Sequence, residues 1–215
     1  MKLLIGSQNF GYNLPDSDKD WMEFRYPSWS DIIAGKMERT EQILGDNTHI
    51  KVYDIRNISK IISDGHISSL QFMFSTEYRD CNDLKWFIDN RVRLCRTNMY
   101  RVFKSNSNNM IRDLNNKLDA KTLTRAYVFY RILTQLIDKA NEDVSFYIPD
   151  SYDYRLKMMG LSDEEWKIER DRLITFYKYL ETAYIPYKDA FDNRIFNKAN
   201  SELTKLLKKQ LMDSR

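Results

Sequence analysis

Two cysteines and two histidines are all that this chain of 215 residues offers to a soft metal ion. Cys81 and Cys95 stand fourteen positions apart, and His49 and His66 fall in no zinc-type spacing with them. A structural zinc site is excluded on that ground, and two cysteines predict reduced thiols rather than a disulfide framework. Glycine and proline are also scarce, at six and four, and no repeat or low-complexity tract interrupts the chain. No apolar run approaches the length of a membrane span. The opening "MKLLIG" has a lysine followed by only three strongly apolar residues. That is too short for a secretory core, so a cytoplasmic protein without a membrane partner is expected. A formal net charge of +3 neither demands nor excludes a nucleic-acid partner.

What is present describes a folded chain. It is 42% hydrophobic and 30% charged, and its length suits one large domain or two small lobes. Residues 3–5 are a short apolar run stopped by Gly6, which predicts a strand ending in a turn. "GYNLPDS" is loop chemistry around Pro15. "DKDWMEF" and "HIKVYDI" read as two further strands. Between them, residues 28–44 read as mostly helical, and residues 57–74 as helical with a break at Asp64-Gly65. From about residue 80 the alternation ends. Segments 84–104, 108–140, 162–184 and 187–212 carry apolar residues at three- and four-residue spacing. Ser162 and Glu165 form a capping box for the third of these, and residues 145–154, around Pro149, read as a linker. The expected fold class is α+β: a small mixed-sheet lobe over residues 1–80 followed by a helical lobe over 81–215.

Two of the six glycines fall in "GSQNFGYNLPDSDKD", beside Ser7 and just before Asp16, Asp18 and Asp20. Phosphoryl or nucleotidyl transfer needs backbone donors and cations around phosphate oxygens. Gly6-Ser7 at a strand-to-helix turn suits that need, because glycine admits close approach and the serine hydroxyl adds a donor. Gly11 fits the same role. Asp18 and Asp20, two apart on a predicted strand, point to one face. Paired carboxylates without a basic neighbour on their face repel each other, and a hard cation such as Mg²⁺ or Mn²⁺ relieves that. Taken singly, a Gly-Ser or an Asp-x-Asp is common on solvated turns. The ordered combination is the informative feature.

At these residues the chain resembles the nucleotidyltransferase superfamily of DNA polymerase beta, whose signature is Gly-Ser followed about ten residues later by Asp-x-Asp. It is most similar to one branch, the predicted nucleotidyltransferases of RNA-repair operons and phages. That branch looks like "GS…YG…TPDSDxD" and then "vYDLRKFLxLLxxGNPNxxELLFS". Here the second block reads "KVYDIRNISKIISDGHISSLQFMFS", residues 51–75. The resemblance covers about the first eighty residues and is faint beyond, at 121–133 and 154–166.

The resemblance implies a nucleoside triphosphate held between the lobes, with Gly6, Ser7 and Gly11 on its phosphates. It also implies Mg²⁺ or Mn²⁺ on Asp18 and Asp20, and an NMP passed to an acceptor hydroxyl, an RNA end among the candidates. Lys121, Arg125 and Arg131 sit where family helices carry basic residues, and one of them is expected at the triphosphate. The superfamily adds a third carboxylate from a neighbouring strand. The aligned residue is His49. Asp54 is the acidic alternative for a metal ligand, although it also suits the cap of the helix that follows. His66-Ile67 and Gln71 replace the branch's Asn-Pro and Glu. The alternative function is a catalytically reduced binding protein on the same fold. A basic run at Arg91, Arg93, Arg96, Arg101 and Lys104 reads either as a solvated helix face or as contacts to an RNA backbone.

Overall fold

The apolar run at the start of the chain becomes the strand Lys2–Ile5 (β1), and its alternation gives the sheet two unlike faces. Lys19–Arg25 (β2) pairs antiparallel with β1 and puts Asp20 opposite Ile5. Thr48–Asp54 (β4) runs parallel to β2 and puts His49 opposite Asp20. Tyr78–Arg79 (β5) extends the sheet beyond β1 and Arg39–Leu44 (β3) beyond β4, in the order β3-β4-β2-β1-β5. These strands belong to a computed structural model that describes residues 1–37, 39–44 and 47–213, with backbone alone at 39, 41, 42, 44 and 213. The architecture is mixed α+β.

One sheet face carries Leu3, Ile5, Met22, Phe24 and Tyr53 into the main core. The other carries a small cluster of Leu4, Trp21, Ile50 and Val52, with Lys2 and Arg79 both lying over the Trp21 ring. Alternation of apolar side chains on two strand faces produces this division directly.

The expectation of helix across 28–44 is corrected. Only Trp29–Ile33 (α2) is helical, opened by a capping box between Ser28 and Asp31. Gly35 then takes a left-handed conformation at φ 63°, and residues 39–44 pair with β4 as β3. Helix-forming residues in this stretch yield to the open edge of β4, because a strand's fit depends on the neighbour it pairs with.

The expected break at Asp64-Gly65 is present. Asn57–Asp64 (α3) ends at Gly65, φ 68°, and Ile67–Leu70 (α4) leads into a 3₁₀ turn over Gln71–Phe74. The side chain of Asn106 spans this corner. It donates to the Gly65 carbonyl at 2.9 Å and accepts from the Ile67 N–H at 2.9 Å.

The second part of the chain is helical: Lys85–Asp89 (α5), Arg91–Arg96 (α6), Met99–Asn116 (α7), Ala120–Ile137 (α8), Ser151–Met159 (α9), Asp163–Tyr184 (α10) and Asn193–Asp213 (α11). The expected segment 84–104 is thus three helices, and 108–140 is divided between α7 and α8. The Ser162–Glu165 capping box opens α10. The segment read as a linker passes into helix at Ser151. Tyr177 and Tyr184 on α10 are fully buried and donate to the carbonyls of Ala126 and Leu133 on α8, at 2.7 and 2.6 Å. Buried hydroxyls paired in this way tie two helices together without leaving a polar group unsatisfied. One cluster of buried side chains runs from Leu3 through Phe72, Phe103 and Phe146 to Leu203, so sheet and helices share one core across residue 80. No helix among the described residues is long and apolar enough to cross a membrane.

Candidate functional site

The turn after β1 sets the position of everything near it. Residues Gly6–Phe10 form a short helix (α1) that begins as the strand stops. Gly6 has φ 76°, and a Cβ placed there would stand 2.3 Å from Oδ2 of Asp20. No side chain fits between the turn and the carboxylate, so glycine is required twice, for its backbone and for its space. The Gly6 N–H donates to Oε1 of Gln71 at 2.9 Å, and Gln71 in turn donates to the Ser68 carbonyl at 2.5 Å. The 51–75 block is thereby fastened to the Gly-Ser turn.

Between the inner sheet face and the first turns of α8 lies a cavity of about 340 Å³, within the size range of small-molecule sites, ~300–1,000 Å³. Ser7, Asp20 and Lys51 face it from one side and Lys121 and Arg125 from the other, with Ser68, Ser69 and Gln71 along an edge. Lys121, Arg125 and Phe129 recur every four residues and so share one face of α8. The structure brings together Gly6, Ser7, Asp20, Lys121 and Arg125 of the expected residues. Among the described residues the Ser7 hydroxyl, Lys51 and Lys121 have no hydrogen bond or ion pair. Arg125 reaches Asp113 at 2.8 Å through one terminal nitrogen, while its buried Nε has no partner.

Asp18 lies just outside β2 and is exposed, but it shares the face of Asp20. Both carboxylates converge on the His49 ring, Asp18 at 4.0 Å from Nε2 and Asp20 at 3.8 Å from Nδ1. Burial holds the Asp20 carboxyl above its usual range. Lys51, His49 and Lys121 oppose that rise and Asp18 adds to it. Tyr12, on the cavity wall, is pushed up to about 12 by burial against the pull of Arg125 and Arg155, so its hydroxyl stays protonated.

Two oxygen donors beside an anion-seeking cavity fit a single hard divalent ion, which keeps waters and phosphate oxygens as its other ligands. They are not a complete protein cage, and no group of three or more His, Cys, Asp or Glu able to hold a metal occurs among the described residues.

Two expectations, for Asp54 and Gly11, are corrected by the geometry. Asp54 is at the far end of β4, opposite Arg25 rather than Asp20, roughly 16 Å along the strand from His49 at about 3.3 Å per residue. It is buried and engaged by its neighbour Arg56, accepting from the Arg56 N–H at 2.8 Å and from its guanidinium. That removes Asp54 from the metal ligands, and it holds the strand-to-helix turn instead. Asp54→Asn is expected to lower stability by about 1–3 kcal/mol, the range for a weakened charged hydrogen bond, and to leave divalent-ion binding at Asp18 and Asp20 unchanged. Chemical denaturation and a Mn²⁺ titration check the two halves.

Gly11 does not line the cavity. It closes α1 at φ 88°, and a Cβ there would meet Tyr147 at 2.8 Å and the Ile148 carbonyl at 3.2 Å. Its glycine serves packing against the 145–150 segment. Arg131 is on another face of α8, paired with Asp150 at 2.9 Å and with Tyr127.

Most of the basic run has intramolecular partners. Arg91 donates to the Ile88 carbonyl and lies over the Phe74 ring. Arg96 donates to the carbonyls of Leu136, Asp138 and Asn141 at the end of α8. Arg101 pairs with Asp64 and Lys104 with Glu181. A larger hollow of about 620 Å³ lies at that end of α8. Its two cations are committed already, Arg96 to carbonyls and Lys139 to the Tyr187 ring.

Lys51, Ser68 and Ser69 are the cavity residues that sequence reasoning missed. For Lys51 the signal was available, since alternation puts His49, Lys51 and Tyr53 on one face of the strand. No family model matches the chain, and no curated protein or solved structure matches it.

Proposed function

We propose that the protein is a nucleotidyltransferase that moves an NMP from a nucleoside triphosphate to an acceptor hydroxyl, with release of pyrophosphate. One observation carries the reading: Ser7 and Asp20 from the sheet side and Lys121 and Arg125 from α8 line one cavity, whose cations outnumber its carboxylates. A triphosphate matches that charge pattern. The likeness of about the first eighty residues to the RNA-repair and phage branch supports an RNA end as acceptor and a cytoplasmic setting.

In this reading the Ser7 hydroxyl and the backbone of the turn hold the outer phosphates, and Lys121 and Arg125 balance charge on the departing pyrophosphate. Asp18 and Asp20 are the residues that would hold Mg²⁺ or Mn²⁺. Bound there, the ion supplies a Lewis acid at the α-phosphate. The acceptor oxygen bonds to the α-phosphorus as the bond to the β-phosphate's bridging oxygen breaks, and the hydroxyl proton passes to solvent. The protonated Tyr12 adds a donor on the wall.

The test is direct. Purified protein is incubated with each NTP labelled at the α-phosphate, Mg²⁺ or Mn²⁺, and an RNA bearing a free 3′ hydroxyl. Label in the RNA supports the reading. Nucleotide bound without transfer to any acceptor points to the binding-protein reading, which the histidine at the third-carboxylate position favours. Absence of nucleotide binding overturns both.

Ser7→Ala is expected to weaken triphosphate binding by roughly tenfold to a hundredfold, the loss of one charge-assisted hydrogen bond, and to leave monophosphate binding nearly unchanged. Calorimetry with ATP and AMP reads this. Equal losses for both would take Ser7 off the outer phosphates.

A further inference from the structure

His49 is the residue opposite Asp20 across the parallel pairing of β2 and β4, and the next side chain on that face of β4 is Lys51. Lys51 enters the same cavity as Ser7 and Lys121. It is half-buried, and its ammonium makes no hydrogen bond or ion pair among the described residues. An ammonium that has lost part of its water without gaining a fixed partner is prepared for an anion. Its field falls on Asp20, where it is the largest of the charges opposing the effect of burial.

Of the charged groups acting on Asp20, Lys51, His49 and Lys121 oppose the effect of burial, and Asp18 adds to it. Like charges repel steeply at short range. A second divalent ion at Asp20 would be opposed by the Lys51 ammonium, and the residue across from Asp20 on β4 is His49 and not a carboxylate.

We propose that Lys51 binds the phosphates of the nucleotide directly and takes the place of a second divalent ion, so that the protein uses a single divalent ion per bound nucleotide. This rests on the nucleotidyltransferase reading. A nucleoside triphosphate carrying one divalent ion is still an anion, and Lys51 neutralises it from the sheet side as Lys121 and Arg125 do from α8. The missing third carboxylate then marks a different division of charge between protein and ion, in which a fixed ammonium does work otherwise given to a metal.

The experiment counts ions. Wild-type protein is saturated with a nonhydrolysable ATP analogue, and bound Mn²⁺ is measured by electron paramagnetic resonance. The expected stoichiometry is close to one Mn²⁺ per nucleotide, rising towards two in Lys51→Glu. In EDTA, without any divalent ion, Lys51→Met is expected to bind the analogue roughly tenfold or more weakly than wild type, as loss of a charged contact to phosphate predicts. Two Mn²⁺ per nucleotide in the wild type, or unchanged affinity in Lys51→Met, overturns the role of Lys51 and leaves the nucleotidyltransferase reading standing. No nucleotide bound by the wild type under any condition overturns both. Should Lys51→Met fail to fold, the wild-type ion count decides alone.

Discussion

Asp20→Asn is expected to abolish nucleotidyl transfer, by roughly a thousandfold or more, while leaving the protein as stable as before or more so. The loss follows from the several kcal/mol that a divalent ion contributes to charge stabilisation in such reactions, at about 1.36 kcal/mol per decade of rate. Asparagine keeps the shape but gives up the charge that would hold the ion. The gain in stability follows from burial. Asp20 has its carboxyl held above the usual range, so its folded pKa exceeds the unfolded value near 3.9. At neutral pH the ionised carboxylate therefore costs the fold something, and that cost fades as pH falls through the folded value. Asparagine removes it, so the stability advantage of the variant should be present at pH 7 and vanish in acid. Thermal unfolding at pH 7 and at pH 4, beside an activity assay, reads both. A fall in Tm at pH 7, or transfer retained within tenfold, would falsify the assignment of Asp20 as an ion-holding residue.

The second large effect is structural. Asn106→Ala is expected to destabilise the protein by about 2–5 kcal/mol. It strands the Gly65 carbonyl and the Ile67 N–H in a buried corner, each at about 1–3 kcal/mol. For a chain of this size that is a fall in Tm of roughly 5–15 °C, at about 2–4 °C per kcal/mol. The corner has no freedom to adjust, because Gly65 already lies so close to Val102 that a Cβ there would be 2.7 Å from it. The same corner leads into Ser68, Ser69 and Gln71, so nucleotide affinity should weaken along with stability. A Tm within 2 °C of wild type would show that water enters and satisfies both groups.

The parts of the site legible in the sequence are those whose chemistry is local. Gly6, Ser7, Asp18 and Asp20 lie within fifteen residues, and their order alone implies a turn, a donor and a shared carboxylate face. The strand at 3–5 was legible from its apolar run, that at 18–24 from alternation, that at 49–55 from its β-branched and aromatic residues, and the helix break at Gly65 from glycine itself. What was not legible depends on partners distant in the chain. Nothing local says that Gln71 reaches the Gly6 N–H or that Gly11 is spent on Tyr147, since a packing glycine and a phosphate-binding glycine have the same backbone needs. The residues of β3 favour helix until β4 offers an edge. Asp54 is a different case. Its partner Arg56 is two residues away, and "YDIR" already contains the ion pair that takes Asp54 out of the site.

The core that passes unbroken from β1 to α11 has a consequence for how such a protein can be taken apart. Phe72 and Phe74 in the first part pack in the same cluster as Phe103, Phe129 and Phe146 in the second, and Phe74 stacks directly on Phe146 with ring centroids 4.0 Å apart. The first eighty residues are thus not a cassette that could be excised and fused to another helical partner. Cut at residue 80, the sheet would present its inner face, Ser7 and Asp20 included, to water, and the cations that complete the cavity would leave with the other fragment. Engineering of substrate choice in this molecule has to proceed by substitution on both walls in place, with α8 and the sheet treated as one piece.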